Sequence, residues 1–322
     1  MGLRGRLPGV VAALQDQAGD RAVSKRVEQR TRTRERVAAE LAAQQRAERR
    51  RRLLLAVGAV VVVVVVIGGL VAIRLAGGEK KTATGPTGTA DSSLITTLAS
   101  IPAATFNAVG TGDVQGGPSQ ITAPALTEGG KPKVLYIGAE FCPYCAAERW
   151  PVTVALSRFG TFSGLGTTHS AADDVSPNTP TLSFHGTKFS SQYLAFTGVE
   201  TTTNEKVNGQ YAPLDTPTAA DQKTFDTYNK PPYVQSAGSI PFVDLGGTFV
   251  SAGATYSPDL LAGKTQTEIA DALKDPSSPI AKAIDGSANL YTAALCKLTN
   301  NQPAAVCSTD AVTAAAGKLG KS

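Results

Sequence analysis

Three patterns in the C-terminal two-thirds of the chain predict an α/β fold. An apolar, strand-like segment at 132–139 is followed almost directly by a segment with helical spacing. Two strand-like segments surround a Gly-Gly pair near residue 246, and helical patterns return after residue 265. Strands and helices in this order are typical of domains in which helices cover a sheet. We therefore expect one domain over residues 93–322, which is long enough to bury a substantial core.

The individual elements follow from apolar periodicity and from residues that start or stop helices. The segment 132–139 indicates a buried strand, and the helix after it begins at Pro143, where a missing N–H costs nothing. Further strands are expected at 161–168 and 181–184, and two more within 239–250 around the Gly-Gly turn. Further helices are expected at 216–229, 265–273 and 279–298, with a last one after Cys307.

The positive charge of the chain is concentrated in its first 52 residues. This segment holds 14 Lys and Arg against 6 Asp and Glu, which leaves 17 basic and 20 acidic residues for the rest of the chain. The predicted domain therefore has no basic surplus with which to neutralise phosphates, and we expect no nucleic-acid partner. We interpret residues 1–52 as a basic cytoplasmic tail.

An uncharged apolar run extends from Leu53 to Ile73. A helix of these 21 residues would be roughly 31 Å long, which matches the hydrocarbon core of a bilayer. Its length and the tail before it favour an uncleaved signal anchor at 53–75 over a cleaved signal peptide. Arg49 to Arg52 directly precede it, so the positive-inside rule places the tail in the cytoplasm and the C-terminal domain outside. We expect a single-pass cell-membrane protein in contact with the lipid bilayer, with a flexible linker at 76–92.

The four cysteines all lie in the part of the chain predicted to be outside, where disulfides persist. Cys142 and Cys145 form a C-x-x-C motif between the predicted strand and helix. A cysteine at a helix N-terminus lies beside unpaired N–H groups and the positive end of the helix dipole, which lowers its pKa. Thiolate attacks disulfides, and a second cysteine one turn later can resolve the mixed disulfide.

Two other roles for this pair compete with redox chemistry. A structural disulfide in so short a loop would constrain little of the unfolded chain. A zinc site needs four ligands, and the sequence offers no second Cys or His pair close by, since His169 and His185 are its only histidines. Redox chemistry is the favoured interpretation, with no cofactor, because the two thiols themselves carry the electrons.

The segment VLYIGAEFCPYC resembles the strand and active site of the thioredoxin superfamily, and SIPFVDLGGTFV resembles its later proline loop. The resemblance covers about 132–158 and 239–255. Pro143 and Tyr144 between the cysteines resemble the dipeptide of glutaredoxins, and with the anchor the chain resembles membrane-anchored Dsb-type and related uncharacterised thioredoxin-like extracytoplasmic proteins. The resemblance implies a cis bond at Ile240-Pro241, with Pro241 against the active site and the Ile240 backbone free to pair with an extended substrate.

The chain departs from that family in two respects. Tyr136 occupies the position of a buried acid, so no proton acceptor for Cys145 is evident. Glu140 could relay protons through water, although an exposed, solubilising glutamate is the more ordinary interpretation. The 96 positions between Cys145 and Pro241 exceed what a minimal thioredoxin needs, which implies a β-rich insertion around 160–235.

Cys296 and Cys307 bracket a predicted turn at Asn300–Pro303 between two helices. A structural disulfide across this helical hairpin is favoured, and a second redox pair that passes electrons to Cys142 and Cys145 is the alternative.

The sequence thus predicts a membrane-tethered thiol–disulfide oxidoreductase that acts on exported protein thiols or disulfides, with a membrane redox partner. Cys142 would be the nucleophile, Cys145 the resolving thiol and Pro241 the residue that shapes the substrate groove. The rival prediction is a non-catalytic envelope scaffold that keeps the fold and binds partners through its insertion.

Overall fold

The computed structural model describes residues 88–90 and 92–320, which belong to one compact unit. The predicted basic tail, the predicted anchor at 53–75 and the linker up to residue 87 lie outside the described residues. Within the described part of the chain, no helix is both long enough and apolar enough to cross a bilayer. The fold is mixed α/β, as the sequence predicts.

The thirteen strands of the described residues are β1 (Gly88–Thr89), β2 (Ser119–Gln120), β3 (Thr127–Glu128), β4 (Lys131–Gly138), β5 (Thr161–Ser163), β6 (Gly166–His169), β7 (Pro180–Ser183), β8 (Lys188–Ser190), β9 (Ala195–Glu200), β10 (Thr202–Val207), β11 (Gln210–Pro213), β12 (Phe242–Leu245) and β13 (Phe249–Ala252). The eight α-helices are α1 (Ser92–Ala99), α2 (Ala103–Val109), α3 (Pro143–Ser157), α4 (Ala219–Tyr228), α5 (Gln266–Ala272), α6 (Pro279–Leu298), α7 (Ala304–Cys307) and α8 (Asp310–Ala316). A 3-10 helix spans Pro258–Leu261.

A mixed sheet forms the centre of the domain, and β4 is an inner strand that is paired on both sides. Strand β4 pairs in parallel with β9 on one side and antiparallel with β12 on the other. Strand β12 continues antiparallel to β13, which pairs with the short β2. Five consecutive residues of β4, Val134–Gly138, are fully or almost fully buried. A strand covered on both faces reads as a continuous apolar run, which explains why the sequence signal for β4 is clear.

The predicted hairpin at 239–250 is confirmed as β12 and β13. Gly246 and Gly247 both have positive φ, at 65° and 69°, and Thr248 N–H donates to the Leu245 carbonyl at 3.0 Å. These two glycines are the central residues of the turn, and Thr248 completes the connection between the paired residues Leu245 and Phe249. Two successive positive φ values are a conformation that Gly-Gly favours. A side chain at Gly247 would also collide with the Pro124 carbonyl, so only glycine fits there.

The helices cover the sheet and enclose one large core. Helix α3 packs against α6 and against β7, and α1 and α2 extend this layer through α5, α6 and α8. The largest buried side chains include Tyr136 of β4, Trp150 of α3 and Tyr291 of α6. The predicted helix at 279–298 is confirmed as Pro279–Leu298, which Ser278 caps through its side chain.

The region between α3 and α4 is β-rich, in agreement with the expected insertion. Strands β6 and β7 join β1 in a three-stranded sheet, β5 pairs with β8, and β10 pairs with β11. The strand predicted at 161–168 is divided into β5 and β6, because Gly164 between them adopts a positive φ of 69°. Strand β1 pairs with β6, so the described structure begins inside the segment predicted as a linker at 76–92.

Candidate functional site

Cys142 lies where β4 ends and α3 begins, as the sequence predicts. It is the N-cap residue of α3, with φ −75° and ψ 121°, and Pro143 occupies the first helical turn. The Cys145 N–H donates to Cys142 Sγ at 3.3 Å, so the sulfur satisfies one of the free N–H groups of the helix. A sulfur that accepts from a helix N-terminus is stabilised in its anionic form.

The two thiols of the motif are both free and buried, and their pKa values move in opposite directions. The pKa of Cys142 is lowered, first by a hydrogen bond from the Cys145 thiol, then by the Cys145 N–H and the charge of Arg149, against the effect of burial. Burial raises the pKa of Cys145 well above its usual value, and the adjacent Cys142 adds to this. The pair therefore loses its first proton at Cys142, whose side chain is 5% exposed, while Cys145 is fully enclosed.

The proline loop lies against this pair. The Ile240–Pro241 peptide bond is cis, as the family resemblance implies. The Ile240 carbonyl oxygen lies 3.9 Å from Cys142 Sγ, although 98 positions separate the two residues. The Gly253 N–H donates to the Pro241 carbonyl, and Asn229 Nδ2 donates to the Ser239 carbonyl at 2.8 Å. These bonds hold the loop on both sides of Pro241, which is itself buried.

An ion pair that the sequence analysis did not anticipate lies behind the motif. Arg149, one turn after Cys145 on α3, donates through Nε and Nη2 to Glu200 at 2.8 and 2.6 Å, and both side chains are fully buried. Arg149 Nη2 also donates to the Ala139 carbonyl. The guanidinium lowers the pKa of both cysteines, whereas the Glu200 carboxylate raises that of Cys145. The spacing of four residues between Cys145 and Arg149 was a usable signal for Arg149; nothing in the sequence pointed to Glu200.

Glu140 is buried rather than exposed, which corrects the more ordinary interpretation of this residue. It has no exposed surface, and its Oε1 accepts from Ser183 Oγ at 2.6 Å. Its other oxygen, Oε2, has no hydrogen-bond partner among the described residues. Burial raises the pKa of Glu140, and the nearby Glu200 carboxylate adds to the effect. The side chain points into the domain because β7 of the insertion supplies Ser183.

Tyr136 lies beneath the motif, at the position where the thioredoxin resemblance implies a buried acid. It is fully buried, its ring packs edge-on against Phe184, and its hydroxyl donates to the Cys145 carbonyl at 3.5 Å. Burial raises the pKa of Tyr136 well above its usual value. Tyr136 therefore remains a neutral phenol, which cannot take the proton of Cys145.

The insertion contributes to the surface around Cys142. Phe141 stacks on Tyr211 of β11 with ring centroids 4.2 Å apart, and the Phe141 carbonyl accepts from the Ala171 N–H. Lys206 lies over the same Tyr211 ring and pairs with Asp173. Tyr144, between the cysteines, is 46% exposed and is one of three large hydrophobic residues exposed in the described part of the chain. Aromatic side chains thus flank the one partly accessible thiol.

Cys296 and Cys307 form a disulfide, as the structural interpretation of this pair predicts. It joins the last turn of α6 to the end of α7, across a turn in which Asn300 and Asn301 both have positive φ. Both sulfurs are buried on the side of the core formed by α6 and α8. Within the described residues, no group of three or more His, Cys, Asp or Glu side chains could hold a metal ion.

Comparison with known proteins yields one match. The protein-family model described as "Domain of unknown function (DUF929)" matches residues 118–297, which is more than half of the chain. The match includes Cys142, Cys145 and Pro241, together with the insertion, and it ends just after Cys296. No curated protein and no solved structure matches the chain.

Proposed function

The chain belongs to the DUF929 family, and from its site we propose that it is a membrane-tethered thiol–disulfide oxidoreductase of exported proteins. The observation that carries the proposal is the Cys142 sulfur. It caps α3, has a lowered pKa and lies 3.9 Å from the carbonyl of Ile240 in the cis-proline loop. A nucleophilic thiolate with a partly exposed backbone segment beside it is suited to disulfide exchange with a polypeptide.

The proposed reaction uses each cysteine in turn. The Cys142 thiolate attacks a substrate disulfide, forms a mixed disulfide and releases one substrate thiolate. Cys145 then loses its proton and attacks the Cys142 sulfur, which leaves a Cys142–Cys145 disulfide and a second substrate thiol. The two electrons move from the dithiol to the substrate, and the reverse sequence oxidises a substrate dithiol. A membrane redox partner would restore the starting state.

The sheet topology supports a thioredoxin-like fold. Strands β9, β4, β12 and β13 are neighbours in that order, with β4 and β9 parallel and the other pairs antiparallel. Helix α3 connects β4 towards β9, α4 lies between β9 and β12, and α6 follows β13. This is the order of elements that the resemblance at 132–158 and 239–255 implies, with β5–β8 and β10–β11 as additions to it.

The activity is tested with the full-length chain purified in detergent, in a dithiothreitol-driven insulin reduction assay. We expect the wild-type chain to accelerate precipitation of the insulin B chain, and Cys142→Ser to return the rate to the background. The matched variant Cys145→Ser should retain the attack but accumulate mixed disulfides, which non-reducing gels would reveal. Equal rates for the wild type and Cys142→Ser would favour the rival function, a scaffold that binds partners through its insertion.

We propose further that this reaction takes place outside the cytoplasm. The uncharged run from Leu53 to Ile73 and the four arginines before it support this orientation. In a Cys142→Ser/Cys145→Ser background, a cysteine at Val175, which is 74% exposed, should react with an impermeant maleimide in intact cells. A cysteine at Ala38 should react only after lysis. The opposite labelling pattern would contradict the proposed location.

A further inference from the structure

A cleft of about 840 Å³ opens beside the last strand of the sheet. One wall is strand β13 and the residues after it, Val250–Thr255. The facing wall is the loop that precedes β2, including Gly116 and Gly117, and a third side is the loop at 231–236 before the cis-proline. Its volume lies within the range of binding pockets in proteins. The cysteines do not line it, so it is separate from the site described above.

The β13 wall presents unpaired backbone. Along β13, alternate residues direct their N–H and C=O groups towards β12 and towards β2. Gly253 N–H donates to the Pro241 carbonyl on the β12 side, so the backbone groups of Ala252 point the other way. Strand β2 ends its pairing at Ser119 and Val250. We find no backbone partner for the Ala252 groups among the described residues, and they face into the cleft.

The facing loop bends away from β13 and keeps this edge open. It contacts the segment that follows β13 at Gln115, whose N–H donates to the Thr255 carbonyl at 2.8 Å. Between that bond and Ser119, Gly116 and Gly117 have φ values of 91° and 143°, which side-chain-bearing residues rarely adopt. The gap beside Ala252 therefore results from the backbone conformation of Gly116 and Gly117. Hydrogen bonds close it at Gln115 on one side and at the β2 pairing on the other.

The walls are almost uncharged. Lys318 is the one charged residue that lines the cleft, and its ammonium group donates to Thr111 Oγ1. No carboxylate lines it. A strongly charged ligand would therefore lose hydration with little compensation, whereas neutral polar groups could bond to the free backbone. Unpaired strand edges bind extended peptides in this way, with main-chain bonds that supply the affinity.

We propose that this cleft binds an extended, uncharged segment of the polypeptide whose disulfide reacts at Cys142. Ser239 lines the cleft, and it is adjacent to Ile240, whose carbonyl lies beside the Cys142 sulfur. A substrate polypeptide that lies beside Ile240 and continues in an extended conformation rises about 3.3 Å per residue. It would therefore reach the edge of β13 within a few residues. The inference rests on the proposed function for the identity of the polypeptide, and it adds a second binding region that selects for extended, unfolded chains.

The test measures binding without thiol chemistry, so that it is independent of the redox proposal. The probe is fluorescently labelled insulin B chain with both cysteines carboxamidomethylated, added to the full-length chain in detergent. Ser236 and Ala237 are adjacent, exposed residues of one loop, but only Ser236 lines the cleft. We expect Ser236→Trp to weaken binding by about tenfold, equivalent to about 1.4 kcal/mol, while Ala237→Trp changes it by less than about twofold.

Hydrogen exchange supplies a second readout of the same complex. Saturating probe should slow amide exchange in the segment 249–255 of the wild-type chain, because the free Ala252 N–H gains a partner. Equal affinities for the two tryptophan variants, absence of saturable binding, or binding without protection at 249–255 would each overturn the inference. The insulin reduction assay, run on the same variants, reports separately whether the redox proposal holds.

Discussion

At the scale of single residues, the site depends on two thiols that are chemically identical and physically different. Cys142 is at the start of a helix, where N–H groups and a buried guanidinium stabilise its anion. Cys145 is one turn further on, fully enclosed, and its anion has no such support. In the proposed reaction, the direction of each pKa shift favours Cys142 as the attacking thiolate and Cys145 as the group that stays a thiol until a mixed disulfide forms.

This assignment predicts the pH dependence of alkylation. Because the pKa of Cys142 is lowered, its thiolate is already present below the pH at which an ordinary cysteine, with a pKa of about 8.5, ionises. Iodoacetamide should modify the reduced full-length chain at Cys142 with a rate midpoint below that pH. In Cys145→Ala the midpoint should rise, since the side-chain hydrogen bond from Cys145, which contributes most to the shift, is lost. Peptide mass spectrometry of timed samples measures both.

The outcome that contradicts this prediction is a Cys142 midpoint equal to that of free cysteine. The Cys142→Ser variant is the control, because its remaining buried thiol should stay unmodified over the same pH range. Rapid modification of Cys145 in that variant would show that the Cys145 thiol is accessible to the reagent, contrary to its burial.

At the scale of secondary-structure elements, the Cys296–Cys307 bond fastens the C-terminal helices to the core. The two residues are 11 positions apart, and a loop of this size contributes roughly 2–3 kcal/mol through the entropy of the unfolded chain. We expect Cys296→Ala/Cys307→Ala to lower the free energy of unfolding by about that amount, measured in urea, and to leave Cys142 alkylation unchanged. Reductant should lower the stability of the wild type and not that of the variant.

The same experiment separates the structural disulfide from a second redox pair. A structural bond predicts that the double variant keeps its rate of insulin reduction at temperatures where it remains folded. Loss of turnover without loss of stability would mean that electrons pass through Cys296 and Cys307.

A helix or strand could be predicted from the sequence where its own capping residues and apolar periodicity determine it. Helix α6 was predicted at its observed bounds, because Ser278 and Pro279 form a strong helix start and the pattern runs unbroken to Leu298. Helices α1 and α2, in contrast, are short and were not predicted. Their apolar residues, such as Leu98 and Phe106, are buried only through contacts with distant helices, and two-turn helices carry little periodicity of their own.

At the scale of the whole molecule, buried carboxyl groups with raised pKa values make stability depend on pH, and Asp285 is one of them. Asp285 of α6 is fully buried, and neither of its oxygens has a hydrogen-bond partner among the described residues. Burial raises its pKa from 3.8 to about 8, against the opposing charge of Arg158. Between these values the folded chain keeps a proton that the unfolded chain releases, so the free energy of unfolding falls as pH rises through this window.

Removal of this titration should make the decrease in stability with rising pH less steep. We expect Asp285→Asn to gain stability relative to the wild type as pH rises from about 4 to about 8, because the amide has no ionised form to bury. Urea unfolding at intervals over this range measures the difference, and Asp113→Asn at an exposed position is the control. A constant difference between Asp285→Asn and the wild type across the range would contradict the prediction.

Features that arise within a few residues of one another could be predicted from the amino-acid sequence alone. These include the placement of Cys142 at a strand-to-helix junction, the Gly-Gly hairpin, and the helical turn that brings Cys296 and Cys307 together, because backbone conformation and capping are local properties. The apolar run at 53–73 is also evident in the sequence, and the membrane anchor that it indicates remains a prediction.

The groups that surround the thiols come from distant parts of the chain and became evident only in the folded domain. The pairing of β4 with β9 buries Glu200 against Arg149, β7 draws Glu140 inward onto Ser183, and β12 carries the Ile240 carbonyl to Cys142. Burial and electrostatic interaction depend on which surfaces meet in space, and a sequence pattern records only the order of residues along the chain.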